Sequence, residues 1–421
     1  MDGNPAPAAT RPGRLTAGLE RLTGVGIKDQ LTAYLVGVGH GGTHWLMGTV
    51  YILLPFARTD LGLSYAEIGA VITAMNIAAF GVNIVSGAVV DITGRRVLLL
   101  AAGLALCAVA LLCVGLVPTL LGLTAGVMLL GGANNLWHPA AFSFLSRRFP
   151  ENRGFALSVH GMGANLGDAL GPLAAGAMMV WIGWQGAAVA NALPAFVLAG
   201  AIWLALPKRA ASERAAHADA AGLDLASYFR GMLSMVKNRA VLGLCVMAGF
   251  RTMTQNGLLI FLPMYLADVI GFEAVVLGLV MAGMQTGGII SGPIAGTWSD
   301  RIGRRPIVLG GMTASTIVIV ALTVIQNEAA FVAGVALLGF VLYAVRPVVH
   351  SWMMDLTPPE VSGSATSLMF GTQGVFKMGL PVLGGFIADT WGLAAVFYLL
   401  AATMLSANLV AGLLPGRRPA G

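Results

Sequence analysis

The stretch Gly87-Ala-Val-Val-Asp91-Ile-Thr-Gly94-Arg95-Arg96 returns 209 residues later as Gly296-Thr-Trp-Ser-Asp300-Arg-Ile-Gly303-Arg304-Arg305. The shift places Asp91, Gly94, Arg95 and Arg96 on Asp300, Gly303, Arg304 and Arg305, and Gly87 on Gly296. It also carries Gly154 onto Gly363 and Pro172 onto Pro381. A single offset that holds from 87 to 172 with no net insertion marks an internal duplication. Two such copies, each built of long apolar runs, predict two helical bundles packed about an axis along the membrane normal.

Composition supports a membrane setting for that duplication. Of 421 residues, 57% are hydrophobic and only 10% charged, against roughly 25% charged in an average soluble domain. So few charges do not cover the surface of a soluble protein this large, whereas lipid solvates an apolar exterior directly. About 240 apolar residues, at about 20 per crossing, set a ceiling of about twelve spans. Soluble enzymes, DNA-binding proteins and secreted disulfide scaffolds are excluded on this ground. Cys107, Cys113 and Cys245 lie in apolar runs at spacings that match no metal or redox motif, so they are expected to act as small buried hydrophobes.

Apolar runs broken by charges and turns give twelve expected spans: 30–57, 66–90, 97–117, 119–146, 154–181, 186–206, 240–267, 274–299, 307–325, 329–354, 363–388 and 392–414. The organisation is thus an N-terminal arm (1–28), a six-helix bundle (29–206), a polar linker (207–239), a second six-helix bundle (240–414) and a tail (415–421). Residues 1–28 lack the apolar core of a cleavable signal peptide. Lys and Arg mark cytoplasmic loops. With the N-terminus inside, twenty of the 24 basic residues fall on that side and only Arg58 falls outside. The arm supplies Arg11, Arg14, Arg21 and Lys28, and the linker Lys208, Arg209, Arg214, Arg230, Lys237 and Arg239. The tail adds Arg417 and Arg418, and the loops after spans two, four and eight hold the rest. Both termini are therefore expected in the cytoplasm, and the net charge of +6 records topology rather than a nucleic-acid partner.

The two quoted stretches resemble the loop motif that follows the second span in each half of the major facilitator superfamily. That resemblance extends over nearly the whole chain. It implies an all-α membrane fold of twelve helices in two pseudo-symmetric bundles, a transport function and no enzymatic activity. Gly94 and Gly303 permit tight turns, and Asp91 and Asp300 can accept hydrogen bonds from arginines or helix ends. Such contacts are expected to hold the cytoplasmic gate shut in an outward-open state. In span five, Gly167-Asp168-Ala-Leu-Gly171-Pro172-Leu-Ala-Ala175-Gly176 is similar to the G-x-x-x-G-P-x-x-G-G pattern of the family's drug–proton antiporters, with Ala175 replacing one glycine. Close glycines allow tight helix packing, and proline interrupts the hydrogen-bond ladder. Those antiporters commonly carry an Arg in span four; here that span reads Gly131-Gly132-Ala133-Asn134-Asn135-Leu136-Trp137-His138-Pro139. Its His-Pro pair is more similar to the fosmidomycin-resistance branch of efflux proteins.

Charged side chains within a span cost roughly 2.5–3.5 kcal/mol at the bilayer centre, so each needs a reason. Asp168, Arg251, Arg346 and Lys377 fall within spans, as do His40, His44, His138, His160 and His350. His217 lies in the linker. The family implies that spans one, four, seven and ten line a central cavity, and the polar residues concentrate there. The expected substrate-binding set is His40, His44, Asn134, Asn135, His138, Arg251, Gln255, Asn256, Arg346, His350 and Lys377. Three embedded cations against one embedded acid suit an anionic cargo, since Arg offers a planar fork to carboxylate, phosphate or phosphonate. Asp168 and His138 are the expected proton-coupling groups, because burial raises a carboxyl pKa and histidine titrates near neutrality. Pro55, Pro139, Pro263 and Pro347 are expected sites of bending.

No G-x-x-x-x-G-K-[ST] loop is present to bind a nucleotide. The expected energy source is the proton gradient, with no cofactor and no metal site. The leading reading is a monomeric secondary transporter in a bacterial inner membrane that exports a small organic anion or anionic amphiphilic drug against protons. Proton-coupled import of an organic anion is the alternative. Export of a metal chelate on an anionic carrier is a third reading that the histidines admit.

Overall fold

A computed structural model describes Glu20 and residues 23–207, 237–357 and 362–415. The arm's Arg11, Arg14 and Arg21, the linker's Lys208, Arg209, Arg214, His217 and Arg230, and the tail's Arg417 and Arg418 lie outside the described residues. Among the described residues the chain is all helix: α1 (Ile27–Asp60), α2 (Tyr65–Thr93), α3 (Arg96–Leu116), α4 (Leu120–Arg148), α5 (Arg153–Ala205), α6 (Arg239–Tyr265), α7 (Ala274–Ile302), α8 (Arg304–Leu322), α9 (Glu328–Leu356), α10 (Ser362–Trp391) and α11 (Leu393–Leu413). Nine of these are long and apolar enough to cross a membrane. Their outward faces carry Leu121, Trp181, Val197, Leu204 and Leu409, all exposed, which only a hydrocarbon surrounding makes favourable. α1 and α10 fall outside the nine, because histidines, threonines and glycines dilute their apolar content.

Spans five and six, expected over 154–181 and 186–206 with a short loop over 182–185, are two helical segments of α5 joined across a kink. The break is a single residue, Gly183, at φ 66 and ψ 179. Only glycine adopts that backbone without a steric penalty, so one residue does the work of a loop. Prolines lie within α1, α4, α5, α6, α7, α9 and α10. The one irregularity beside a proline is a π turn at Leu266–Ile270, directly after α6 and its Pro263.

Helices α1–α5 pack mainly among themselves, as do α6–α11, and the two halves meet along α2 with α10 and α5 with α7. Small residues set these contacts. Within the first half, Gly163, Gly167 and Gly171 of α5 face the backbone of Gly37, Gly41 and Trp45 of α1, so close that a Cβ on any of the three would overlap it. Between the halves, Gly278 of α7 lies against the backbone of Pro172, and Gly176 against that of Ala274. Apolar burial offers little drive inside lipid, so such close backbone approach is what holds helices together there.

Among the described residues, the hydrogen bonds and ion pairs that join the halves run from one end to the middle of α2. Asp389 at the end of α10 accepts from the backbone N–H of Tyr65 and of Ala66, both at 2.9 Å, capping the start of α2 from across the interface. Asp268 accepts from Arg58 at 3.0 Å and from the Tyr65 hydroxyl at 2.8 Å, and the Arg58 guanidinium lies 4.3 Å from the Tyr65 ring centre. Deeper in, Thr73 donates to the Met378 carbonyl and Asn76 to that of Lys377. The opposite end carries the two copies of the repeated motif, with contacts inside each half. Gly94 and Gly303 make their turns at φ 60 and 96. Arg304 pairs with Asp300 and, at 3.1 Å, with Asp355 of α9, and Arg96 donates to Ser143 at 2.6 Å. None of the bonds named above that cross between the halves lies at the motif end.

Candidate functional site

The glycine stripe on α5 brings two helices close enough for their side chains to interlock. Asp168 follows Gly167, and His44 sits three residues beyond Gly41 on the facing helix. With the backbones in contact at Gly41 and Gly167, His44 Nδ1 lies 2.9 Å from Asp168 Oδ1. One turn earlier on α1 and two turns earlier on α5, His40 meets His160. The two rings stack with centroids 3.7 Å apart and 4° between planes, and His40 Nδ1 donates to the His160 carbonyl at 2.8 Å. α4 supplies His138, whose Nδ1 donates to the Asn134 carbonyl at 2.9 Å and whose Nε2 is 3.3 Å from His40 Nε2. Four histidines and one carboxylate from three helices thus form one connected cluster. His40 and His160 are buried; His44 and Asp168 keep 21% and 27% of their side-chain surface, so the cluster has an accessible edge.

The second half presents cations to that edge. Arg251 of α6 is buried and donates to Gln255 one turn on, at 2.9 Å, while its Nε has no partner. Arg346 of α9 is exposed and Lys377 of α10 half-buried. Arg346 lies within electrostatic reach of Arg251, Lys377 and His350, and both Arg346 and Lys377 reach His138 in the first half. Asp168 in turn reaches Tyr343 of α9. The embedded charges of the two halves therefore converge on one polar centre. Among the described residues no acid from the second half enters it, so Asp168 is the carboxylate that offsets its cationic side.

Of the expected binding residues, His40, His44, His138, Arg251, Gln255, Arg346, His350 and Lys377 belong to this centre. Asn134 and Asn135 serve their own helix: the Asn134 carbonyl orients His138 and the Asn135 amide donates to the Gly131 carbonyl at 2.9 Å. Asn256 is buried with its side-chain nitrogen unpartnered. His160, noted in the sequence but left out of the binding set, underpins His40. Tyr343, whose buried hydroxyl lacks a partner, was missed, because a tyrosine in an apolar run carries no charge signal. Arg58, read only as the lone basic residue outside, proves to be part of the contact that joins the halves. A separate cleft of about 720 Å³ opens at the joined end beside Asp60, Trp184 and Asp268; none of the expected binding residues lines it.

Comparison with known proteins agrees with this architecture. The model of the Major Facilitator Superfamily matches residues 36–281 and 244–421. A putative metabolite transport protein of Haemophilus influenzae is 25% identical over 388 residues, covering 86% of this chain and 91% of that protein. The multidrug resistance protein MdtG of Klebsiella pneumoniae is 24% identical over 324 residues, covering 72% and 77%. A solved bacterial homologue of the human lysosomal transporter Spinster, inward-facing and occupied, superposes with a TM-score of 0.76 at 13% identity, over 91% of this chain and 96% of that one. With a family model matched across nearly all of its length and a fold shared with transporters rather than enzymes, the chain belongs to the major facilitator superfamily.

Proposed function

We propose that this transporter is a drug–proton antiporter of the bacterial inner membrane, with both termini in the cytoplasm, that exports a small organic anion or anionic amphiphile in exchange for protons. The observation that carries the anion reading is that Arg346 and Lys377 of the second half lie within electrostatic reach of His138, in the cluster that also holds the His44–Asp168 pair. The cations offer an anion hydrogen bonds and charge at once. Asp168 is the one embedded carboxylate available to compensate them, so protonating it leaves the site more cationic and favours the anion. Releasing the proton restores an internal counter-charge and favours anion release. This coupling is positive and reciprocal, which taken alone suits movement of anion and proton in the same direction; the exchange reading rests on the span-five motif Gly167–Gly176 and on the similarity to MdtG. The basic loops favour a cytoplasmic motif end, and on that reading this is an inward-facing state. The similarity to MdtG supports export over import.

The test is flux in proteoliposomes under an imposed pH gradient with a panel of carboxylates, phosphates and phosphonates. Asp168→Asn should abolish proton-driven flux while leaving anion exchange, and Arg346→Ala should abolish both. Normal flux in Arg346→Ala would sink the anion site, and normal proton coupling in Asp168→Asn would remove Asp168 from the mechanism.

A further inference from the structure

The ring nitrogens at the centre of the histidine cluster are in an arrangement that hydrogen bonding alone leaves unsatisfied. His40 Nδ1 lies 2.8 Å from the His160 carbonyl oxygen and His138 Nδ1 lies 2.9 Å from that of Asn134. A carbonyl only accepts, so in both rings Nδ1 carries the hydrogen. In the neutral rings each Nε2 is therefore a bare lone pair, and these two lone pairs face one another at 3.3 Å. Two acceptors at that distance call for something electropositive between them.

A metal ion fits the geometry and the surroundings. Zn–N bonds of about 2.0–2.1 Å at a tetrahedral angle place two nitrogens about 3.3 Å apart, which is the His40–His138 separation. A third ring is at hand: a ligand nitrogen of each of His40, His44 and His138 lies within 4.8 Å of the others. His44 has its Nδ1 on the Asp168 carboxylate, leaving its other nitrogen free. A carboxylate or carbonyl on the far nitrogen is the usual outer shell of a metal-bound histidine, fixing tautomer and ring orientation, and here all three rings have one. The stack on His160 and the burial of His40 hold the central ring in place.

We propose that His40, His44 and His138 form a three-nitrogen site for a first-row divalent metal ion of the Zn2+ type, with its fourth position open toward the cations of the second half. The site is assembled wholly within the first half, on the α1–α5 glycine contact and on α4. Arg346 and Lys377 both reach His138 and oppose a bare dication. Asp168 offsets part of that opposition from behind His44, and an anionic oxygen in the fourth position would offset more. The proposal does not depend on the anion–proton reading: metal binding is measured without flux, so either can fail alone.

The experiment is Zn2+ titration of the purified full-length protein by calorimetry, with Co2+ as a spectroscopic probe. One ion per chain is expected, and Co2+ should show the strong visible absorption of four-coordinate geometry. His44→Gln, whose ring is partly exposed and so safe for folding, should weaken Zn2+ by more than tenfold. Asp168→Asn should weaken it by about 10–100-fold through the outer shell. His350→Gln, in the other half, should leave it unchanged. Arg346→Gln should tighten it severalfold by removing a repelling charge, an effect that a merely structural cluster would not show. Failure of Zn2+ to bind, or binding that His44→Gln leaves intact, overturns the proposal. So does nuclear magnetic resonance evidence that a shared proton persists between His40 and His138 in excess Zn2+.

Discussion

At the scale of single residues, Arg251 and Arg346 differ in what they give the folded state. Arg251 is buried, with one hydrogen bond to Gln255 and an unpartnered Nε. An incompletely satisfied buried charge is a cost, and well-packed apolar replacements of such groups are often neutral or stabilising. Arg251→Met is therefore expected to raise thermal stability in detergent, by about 1 kcal/mol or more, while anion flux is lost. A fall in melting temperature would show that the guanidinium holds the bundle together instead. Arg346 is exposed to the polar centre, so its removal should leave the melting temperature nearly unchanged and act on flux alone.

At the scale of the helix, the α5 glycines do more than permit packing. Gly163, Gly167 and Gly171 recur every four residues along one face and meet α1 backbone at Gly37, Gly41 and Trp45. A Cβ at Gly167 has no flexible side chain to displace, so α1 itself must move. Gly167→Ala should cost about 1–3 kcal/mol, as overpacking does, and it should part His44 from Asp168. Proton coupling should then fail even in protein that still folds. Gly161, beside which nothing lies within 4 Å, is the matched control, and Gly161→Ala should behave as the parent in both thermal melts and flux. The stripe was legible in the sequence as a packing motif, and its partner was not. Glycine spacing says that a helix packs closely, but the identity of the facing helix depends on how five helices share one bundle.

At the scale of the whole molecule, the halves are latched at the end opposite the repeated motif. Asp389 makes two charge-assisted bonds to the N-terminal N–H groups of α2, where the helix dipole also favours an anion. Hydrogen bonds to charged groups contribute about 1.5–3 kcal/mol each. Asp389→Ala should therefore shift the balance between inward-open and outward-open forms at least tenfold toward the latter. Electron-spin distances between labels at Ile92 and Ile302, both exposed at the motif end, should shorten as that end closes. An unchanged distance distribution would mean that helix packing, with Gly69 of α2 against the backbone of Pro381 and Gly278 of α7 against that of Pro172, holds the joined end rather than the polar latch. The motif contacts expected to shut the gate are within each half in this state: Arg304 with Asp300 and Asp355, and Arg96 with Ser143. Contacts that exist only in one state of a moving protein are invisible in a structure of the other.

The duplication, the runs that become helices and the embedded charges were all determined by the sequence itself. Apolar length, charge placement and an offset between repeats are properties of residues near one another in the chain or of exact correspondence along it. The tightness of the join between spans five and six escaped that reading, because one glycine at positive φ can replace a loop without any change in hydropathy. What only the tertiary structure decided is which polar groups meet. His44 finds Asp168 124 residues away, His40 finds His138 98 residues away, and Arg58 finds Asp268 210 residues away. Each pairing depends on which helix faces approach and on rotation about each axis. Those are set by glycine contacts between helices distant in sequence, so the chemistry of the centre exists only once the bundle has closed around it.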